Sequence, residues 1–242
     1  MRYLIKSFVC LVLFITTSSF QQSAQSDAYA AYLSGSMQLW DRTIQNAVAQ
    51  YKSSGSEEDR FQLALAMYGG LSATMKDQNE DFFNKYVGDA MDHLDDMVDG
   101  DYRAAECMAI KSGIYGFKIA YSPWKGMFLG PKSGNNIEDA MEADPNSAIV
   151  QKLYGNYKFF TPETWGGDRE EAIKAYEKSI ALYEGVAGSE SDWMRLDTYA
   201  WLGQAYQKAG ENNKAKDTYL ASLELEKDFN WVNYVLLPQV AQ

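Results

Sequence analysis

The feature that most constrains the fold is an internal recurrence at a spacing of 39 residues. A recurrence of this length is typical of proteins that stack one supersecondary unit, because a single unit cannot bury its own apolar side. Between the recurrent positions, apolar residues return at three- and four-residue intervals, which predicts helices. The recurrent pairs are Gly116 and Gly155, Pro123 and Pro162, Ser133 and Ala172, Ile137 and Tyr176, and Ala140 and Ser179.

Helices are predicted along the whole chain after the first residues, because only five prolines interrupt it and no apolar alternation marks a strand. The connections are short and rich in Gly, Asn, Asp or Ser, so successive helices should pack as antiparallel pairs. The predicted helices lie near 27–52, 57–75, 79–97, 101–121, 134–143, 147–160, 168–184, 192–209 and 212–227.

The clearest unit lies near the carboxyl end. Its motif residues are Tyr199, Leu202, Gly203, Tyr206, Ala215, Tyr219 and Ser222. Their spacing resembles the tetratricopeptide repeat (TPR), with aromatic-x2-Leu-Gly-x2-Tyr on a first helix and Ala-x3-aromatic-x2-small on a second. The closing proline of the family is Lys227 here, so the end of this unit departs from the pattern.

The resemblance implies an all-α fold in which antiparallel helix pairs stack as a right-handed superhelix, an α-solenoid. The recurrence extends it to residues 101–229, whereas the preceding helices look like degenerate repeats. The chain also looks like exported TPR proteins of Bacteroidota-type bacteria. The predicted divisions are 1–26 (signal peptide and leader), 27–100 (degenerate repeats), 101–145, 146–185 and 192–229 (TPR-like repeats), and 230–242 (capping tail).

The first residues have the order of a signal peptide, with Arg2 and Lys6 before a short apolar run at 8–15. That run is shorter than the roughly 20 residues a spanning helix needs. We therefore expect a periplasmic or secreted protein without membrane insertion. Removal of the leader takes Cys10 away and leaves Cys107 alone, so no intramolecular disulfide is expected.

The acidic balance limits the possible partners. The chain has 33 acidic and 22 basic residues and a formal net charge of −11. Nucleic acids and anionic membranes both require a basic face, so the overall charge argues against either as partner. A hydrophobic content of 46% excludes a disordered chain.

Two segments resemble ligand-binding loops but depart from them. Residues 126–133 resemble a phosphate-binding loop, yet one residue is missing between the glycines, and Pro131 removes a backbone donor. The segment from Asp95 to Glu106 resembles a calcium loop, yet Met97 stands where an oxygen ligand is required. The first is expected to be a connection between helices, and the second an acidic helix junction that binds calcium weakly or not at all.

The sequence offers no strong catalytic or metal-binding constellation. His93 is the only histidine, and neither it nor Cys107 has the paired spacing of a zinc site. His93 is expected to be a surface or half-buried helix residue, and Cys107 a small buried one. We therefore expect a protein that is not an enzyme and has no cofactor and no metal.

The family resemblance instead implies a concave groove lined by the first helix of each unit, suited to a protein or peptide partner. A carbohydrate-binding accessory protein and a metal-dependent enzyme are the alternatives, because the aromatic residues suit sugars and the carboxylates suit metals. Phe117 and Phe159 remain open between groove and inter-repeat core. The groove residues implied by the resemblance are Gly113, Phe117, Ala120, Lys152, Asn156, Phe159, Ala200, Gln204 and Gln207.

Overall fold

The computed structural model describes residues 26–186 and 192–240, and this part of the chain is helical, without a strand. The predicted signal peptide lies outside the described residues, apart from position 26. The helices are α1 (26–34), α2 (Met37–Ser54), α3 (Glu57–Ala73), α4 (Glu80–Asp99), α5 (Ala104–Tyr121), α6 (Gly126–Ala143), α7 (Ala148–Phe160), α8 (Arg169–Tyr183), α9 (Trp193–Lys208), α10 (Asn212–Leu225) and α11 (Leu237–Val240). Short 3-10 turns at Pro123–Lys125 and Glu163–Trp165 precede α6 and α8, and a π-helical turn, Val232–Leu236, precedes α11.

The helices form two layers. Helices α3, α5, α7 and α9 contact one another in chain order and make an inner layer. Helices α4, α6 and α8 each pack between the inner-layer helix before them and the one after them, and α10 packs on α9 and α11. This arrangement of sequential antiparallel pairs confirms the predicted all-α repeat fold.

Helix starts follow from local hydrogen bonding. A side-chain oxygen just before the first turn accepts a backbone N–H that has no partner inside the helix, which fixes where each helix begins. At the other end of α2, Gly55 adopts φ 62° and its N–H bonds to the Tyr51 carbonyl. The capping residues are Ser36, Ser56, Asn79, Ser147, Asp168 and Asp192.

Two predicted helix bounds are wrong. The single helix expected near 27–52 is broken at Gly35, which has φ 62°, and Ser36 then caps α2. Helix α6 begins at Gly126, whereas the prediction placed it at 134 after a loop. Gly130 and Pro131 both lie inside α6. Pro131 is only the sixth residue of the helix, so few intrahelical N–H bonds are lost there.

The phosphate-loop segment is therefore helical. Residues 126–133 occupy the first turns of α6, with their backbone donors used by the helix rather than arranged around an anion. The interpretation as a connection between helices is corrected in the same way, because only the 3-10 turn Pro123–Lys125 connects α5 to α6.

Close approach within the helix pairs depends on glycine facing tyrosine. A Cβ atom on Gly203 would lie 2.1 Å from the Tyr219 ring, and one on Gly155 would lie 2.6 Å from the Tyr176 ring. Both tyrosines are fully buried. The rings therefore fill the space that the glycines leave, and each pair packs at a distance that a larger residue would prevent.

We predict that Gly203→Ala and Gly155→Ala each destabilise the protein by about 1–3 kcal/mol, because the added methyl group overpacks a filled site. Gly116 is the matched control, since it holds the same position one unit earlier but a Cβ there meets nothing within 4 Å. Gly116→Ala should be neutral or stabilising by up to about 1 kcal/mol. Urea unfolding of the three variants measures this, and equal losses for all three would contradict the packing argument.

Candidate functional site

Part of the inner layer is closed by the chain itself. The Trp193 side chain, at the start of α9, is 3% exposed and contacts the rings of Tyr32, Trp40 and Tyr68, which come from α1, α2 and α3. Tyr32 also contacts Phe229. Helices far apart in sequence thus meet at one indole, and this part of the inner layer has no open surface.

A buried ion pair lies beside this closed region. The Lys152 Nζ atom of α7 donates to Asp197 Oδ2 of α9 at 2.6 Å, and both side chains are almost fully buried. Asp197 Oδ1 accepts hydrogen bonds from the Tyr32 hydroxyl at 2.9 Å and from the Trp201 indole N–H at 3.1 Å. The single carboxylate therefore joins α1, α7 and α9.

The ion pair explains two pKa shifts. Burial alone would lower the pKa of Lys152, but the Asp197 carboxylate raises it above its ordinary value, so the ammonium stays charged. Burial, followed by the Asp197 charge, raises the pKa of Tyr32 well above 10.0, which keeps its hydroxyl protonated and donating. Lys152 therefore stays a cation and Tyr32 a hydrogen-bond donor in this network.

The other part of the inner layer remains open. Four aromatic side chains, Phe159, Phe160, Trp201 and Trp231, contact one another in sequence, with centroid distances of 4.8 Å for Phe160 to Trp201 and 5.6 Å for Trp201 to Trp231. We call these four residues the aromatic strip. Phe160 is 56% exposed, and the other three are half-buried. The Lys208 Nζ atom lies 4.3 Å from the Phe159 ring centre.

The predicted groove residues divide between the closed and open parts. Lys152 and Ala200 are buried, so neither reaches a surface. Phe117 is half-buried and stacks on Tyr68. Asn156 accepts a hydrogen bond from the Tyr176 hydroxyl at 2.8 Å.

Three predicted groove residues lie at the open end. Phe159 belongs to the aromatic strip, and the half-buried Gln204 and Gln207 come from the same face of α9. The Gln207 amide donates to Gln239 in α11 at 3.3 Å. Sequence reasoning did not assign Trp193 or Trp201 to the groove and missed Asp197, although one signal was present: Asp197 is the only acidic residue in α9.

The candidate calcium segment does not form a loop. Asp95, Met97 and Asp99 all lie inside α4, and Met97 is fully buried. Asp95 pairs with Lys111 at 2.6 Å, and Glu106 pairs with Arg103. The oxygens that calcium would need are thus dispersed or already bound. Among the described residues, no cluster of His, Cys, Asp or Glu suits a metal ion.

His93 and Cys107 serve the helical packing. His93 is half-buried, its Nδ1 accepts from Arg60 Nε at 3.3 Å, and burial followed by the Arg60 charge lowers its pKa. Cys107 is fully buried, and burial raises its pKa to about 12, so it remains a thiol. Both lie where the sequence analysis expected them.

The family model "Tetratricopeptide repeat" matches residues 196–229, within the unit predicted at 192–229. The chain carries a tetratricopeptide repeat. The resemblance inferred from Gly203, Ala215 and Tyr219 is therefore confirmed, and proteins of this repeat are generally non-catalytic. No curated protein matches the sequence.

Two solved structures share the TPR-like fold. The HusA haemophore from Porphyromonas gingivalis superposes with a TM-score of 0.61 at 15% identity, covering 77% of this chain and 92% of that one. A thermophilic TPR protein of Thermus thermophilus gives 0.56 at 15% identity, covering 84% and 91%. Within the described residues, no helix has the length and apolar character to cross a membrane.

We predict that Lys152→Met destabilises the protein by about 3–5 kcal/mol, because it leaves the Asp197 charge buried without its partner. The double variant Lys152→Met, Asp197→Leu should cost less than the sum of the two single changes. Lys85→Met is the control, since Lys85 pairs with Asp41 at 2.7 Å in the open and should barely change the unfolding midpoint. Additive losses in chemical denaturation would contradict a coupled buried pair.

Proposed function

We propose that this protein is an exported, non-catalytic TPR scaffold that holds a protein or peptide partner against the aromatic strip. The observation that carries the proposal is that the four rings of this strip pack together while Phe160 is exposed and the other three are only half-buried. Aromatic side chains that pack together and stay partly exposed are typical of the energetic centre of protein interfaces.

The surroundings of the strip support a peptide ligand. Gln204 and Gln207 of α9 offer amide groups that both donate and accept, which suits the backbone of an extended segment. Lys208 adds one positive charge beside Phe159. The Trp201 indole is held by Asp197, so its orientation is fixed before a partner arrives, and less conformational entropy is lost on binding.

The non-catalytic part of the proposal rests on the inner-layer charges. Lys152 and Asp197 neutralise each other beneath Tyr32, so they stabilise the fold rather than reach a substrate. The strip itself consists of aromatic side chains, and Gln204 and Gln207 beside it are amides. Aromatic rings and amides bind ligands but do not transfer protons readily.

A planar ring ligand is the second candidate. One structural neighbour is a haemophore, and the exposed rings of the strip could stack a porphyrin or a sugar face. Against haem, His93 is the only histidine of the chain, lies on α4 rather than on an inner-layer helix, and its Nδ1 already accepts from Arg60. A haemin titration followed by Trp fluorescence and visible absorbance, with soluble oligosaccharides in a parallel arm, distinguishes these ligands from a peptide.

We predict that Phe160→Ser and Gln204→Ala each weaken partner capture at least tenfold while leaving the fold intact, because Phe160 is exposed and Gln204 is half-buried and outside the core. Cross-linking with the wild-type protein identifies the partner, and titration of that purified partner measures the variants. Leu220→Ser is the matched control, since Leu220 is 41% exposed but lies on α10 in the outer layer.

Two binding results would contradict the proposed surface. Equal affinity for the wild-type protein, Phe160→Ser and Gln204→Ala, with all three folded by circular dichroism, would place the binding surface elsewhere. Loss of affinity in Leu220→Ser alone would place it on the outer layer.

A further inference from the structure

A stretch of reversed charge interrupts this acidic chain. Between Glu106 and Glu138 the sequence contains no acidic residue, although the chain has 33 of them. The same stretch has lysines at seven-residue intervals. They are Lys111, Lys118, Lys125 and Lys132. The charge of the whole chain argues against an anionic partner, but the charge of this segment favours one.

The fold brings these lysines to one corner. Lys118 lies in the last turn of α5, Lys125 closes the 3-10 turn, and Lys132 lies in the second turn of α6. Lys111 pairs with Asp95, whereas the other three form no ion pair in the part of the chain that the structure describes.

The charges of Lys125 and Lys132 both act on Lys118. Burial, then the charges of Lys125 and Lys132, lower the pKa of Lys118, with Asp92 and Asp95 of α4 opposing this in part. An anion placed at this corner would therefore relieve repulsion among the lysines.

Three large apolar side chains protrude from the same corner. Trp124 is 68% exposed, Met127 is 71% exposed and Phe128 is 62% exposed. The Trp124 and Phe128 rings contact each other at 6.4 Å, and Lys125 Nζ lies 6.0 Å from the Trp124 ring. Because these three side chains are so exposed, no neighbouring residues enclose them, and they do not form the groove that a peptide requires. A fluid lipid surface accepts such a protrusion without shape complementarity.

We propose that this basic aromatic corner, defined as Lys118, Trp124, Lys125, Met127, Phe128 and Lys132, docks the protein peripherally on an anionic lipid bilayer. The three apolar side chains enter the headgroup boundary, and the lysines pair with lipid phosphates. The acidic remainder of the chain is repelled from the same surface, so the protein is held by this corner in one orientation. This docking is independent of the partner proposed for the aromatic strip.

The chain contains a matched control for the corner. Trp165 is 65% exposed and closes the equivalent 3-10 turn, Glu163–Trp165, one unit later. Its neighbours Glu163, Asp168 and Glu170 are acidic, and Lys158 nearby is paired with Glu171 at 2.8 Å. Trp165 thus shares the exposed indole but not the basic surroundings.

The test is co-sedimentation of the purified protein with large vesicles of phosphatidylcholine alone or mixed with phosphatidylglycerol. The protein should sediment with the anionic vesicles only, and less so as salt rises. Lys125→Gln with Lys132→Gln should weaken the partition about 25-fold, from about fivefold per lysine. Trp124→Ala with Phe128→Ala should weaken it at least tenfold, and Trp165→Ala should leave it unchanged. The predicted leader, residues 1–26, is removed in every arm, so its apolar run at 8–15 does not contribute to vesicle binding.

Three outcomes would overturn the proposal. The first is equal sedimentation with neutral and anionic vesicles, and the second is undiminished sedimentation of the Trp124→Ala, Phe128→Ala variant. The third is a concentration-dependent dimer in light scattering that Phe128→Ser abolishes, because the corner would then be covered by a second copy of the chain. Circular dichroism of each variant ensures that a loss of sedimentation is not a loss of fold.

Discussion

The close packing of each tyrosine ring against a glycine of its partner helix is the interaction on which the rest of the structure depends. Tyr176 lies over Gly155 and Tyr219 over Gly203, and both rings are fully buried. This packing sets the distance between the helices of a pair, and the pairs then stack with their first helices on one side. This packing spaces the helix pairs of the last two units, whereas in the unit of α5 and α6 a Cβ atom on Gly116 would meet nothing within 4 Å.

The inner layer is not a uniform groove. Trp193 contacts aromatic rings of α1, α2 and α3. Asp197 accepts hydrogen bonds from Lys152, Tyr32 and Trp201. These contacts cover the region that the family resemblance implied would be available to a partner. What remains open is the aromatic strip, and its central indole is anchored by the same carboxylate that closes the rest. Asp197 therefore contacts both the buried network and the surface that we propose for binding.

The charge distribution gives the molecule two unlike surfaces. The aromatic strip lies on the inner layer and is accompanied by amide groups, whereas the basic aromatic corner lies at the turn from α5 to α6 and is accompanied by lysines. Equivalent turns in consecutive units carry Trp124 and Trp165 with similar exposure but opposite surroundings. The two turns thus present an exposed indole at similar places in consecutive units, and the charges around them differ.

The sequence by itself determined the helical repeat, the pairing of helices and the positions of Gly203 and Tyr219, because these depend on spacings that lie within one unit. It also indicated that Met97 cannot supply the oxygen ligand that a calcium loop requires at this position. It misplaced the start of α6, since Gly130 and Pro131 are tolerated in the first turns of a helix. It placed Lys152 in the groove, whereas the structure buries it with Asp197. Only the tertiary structure decided which inner-layer residues are covered, because Tyr32, Trp193 and Phe229 meet through superhelical stacking that no spacing within a unit encodes.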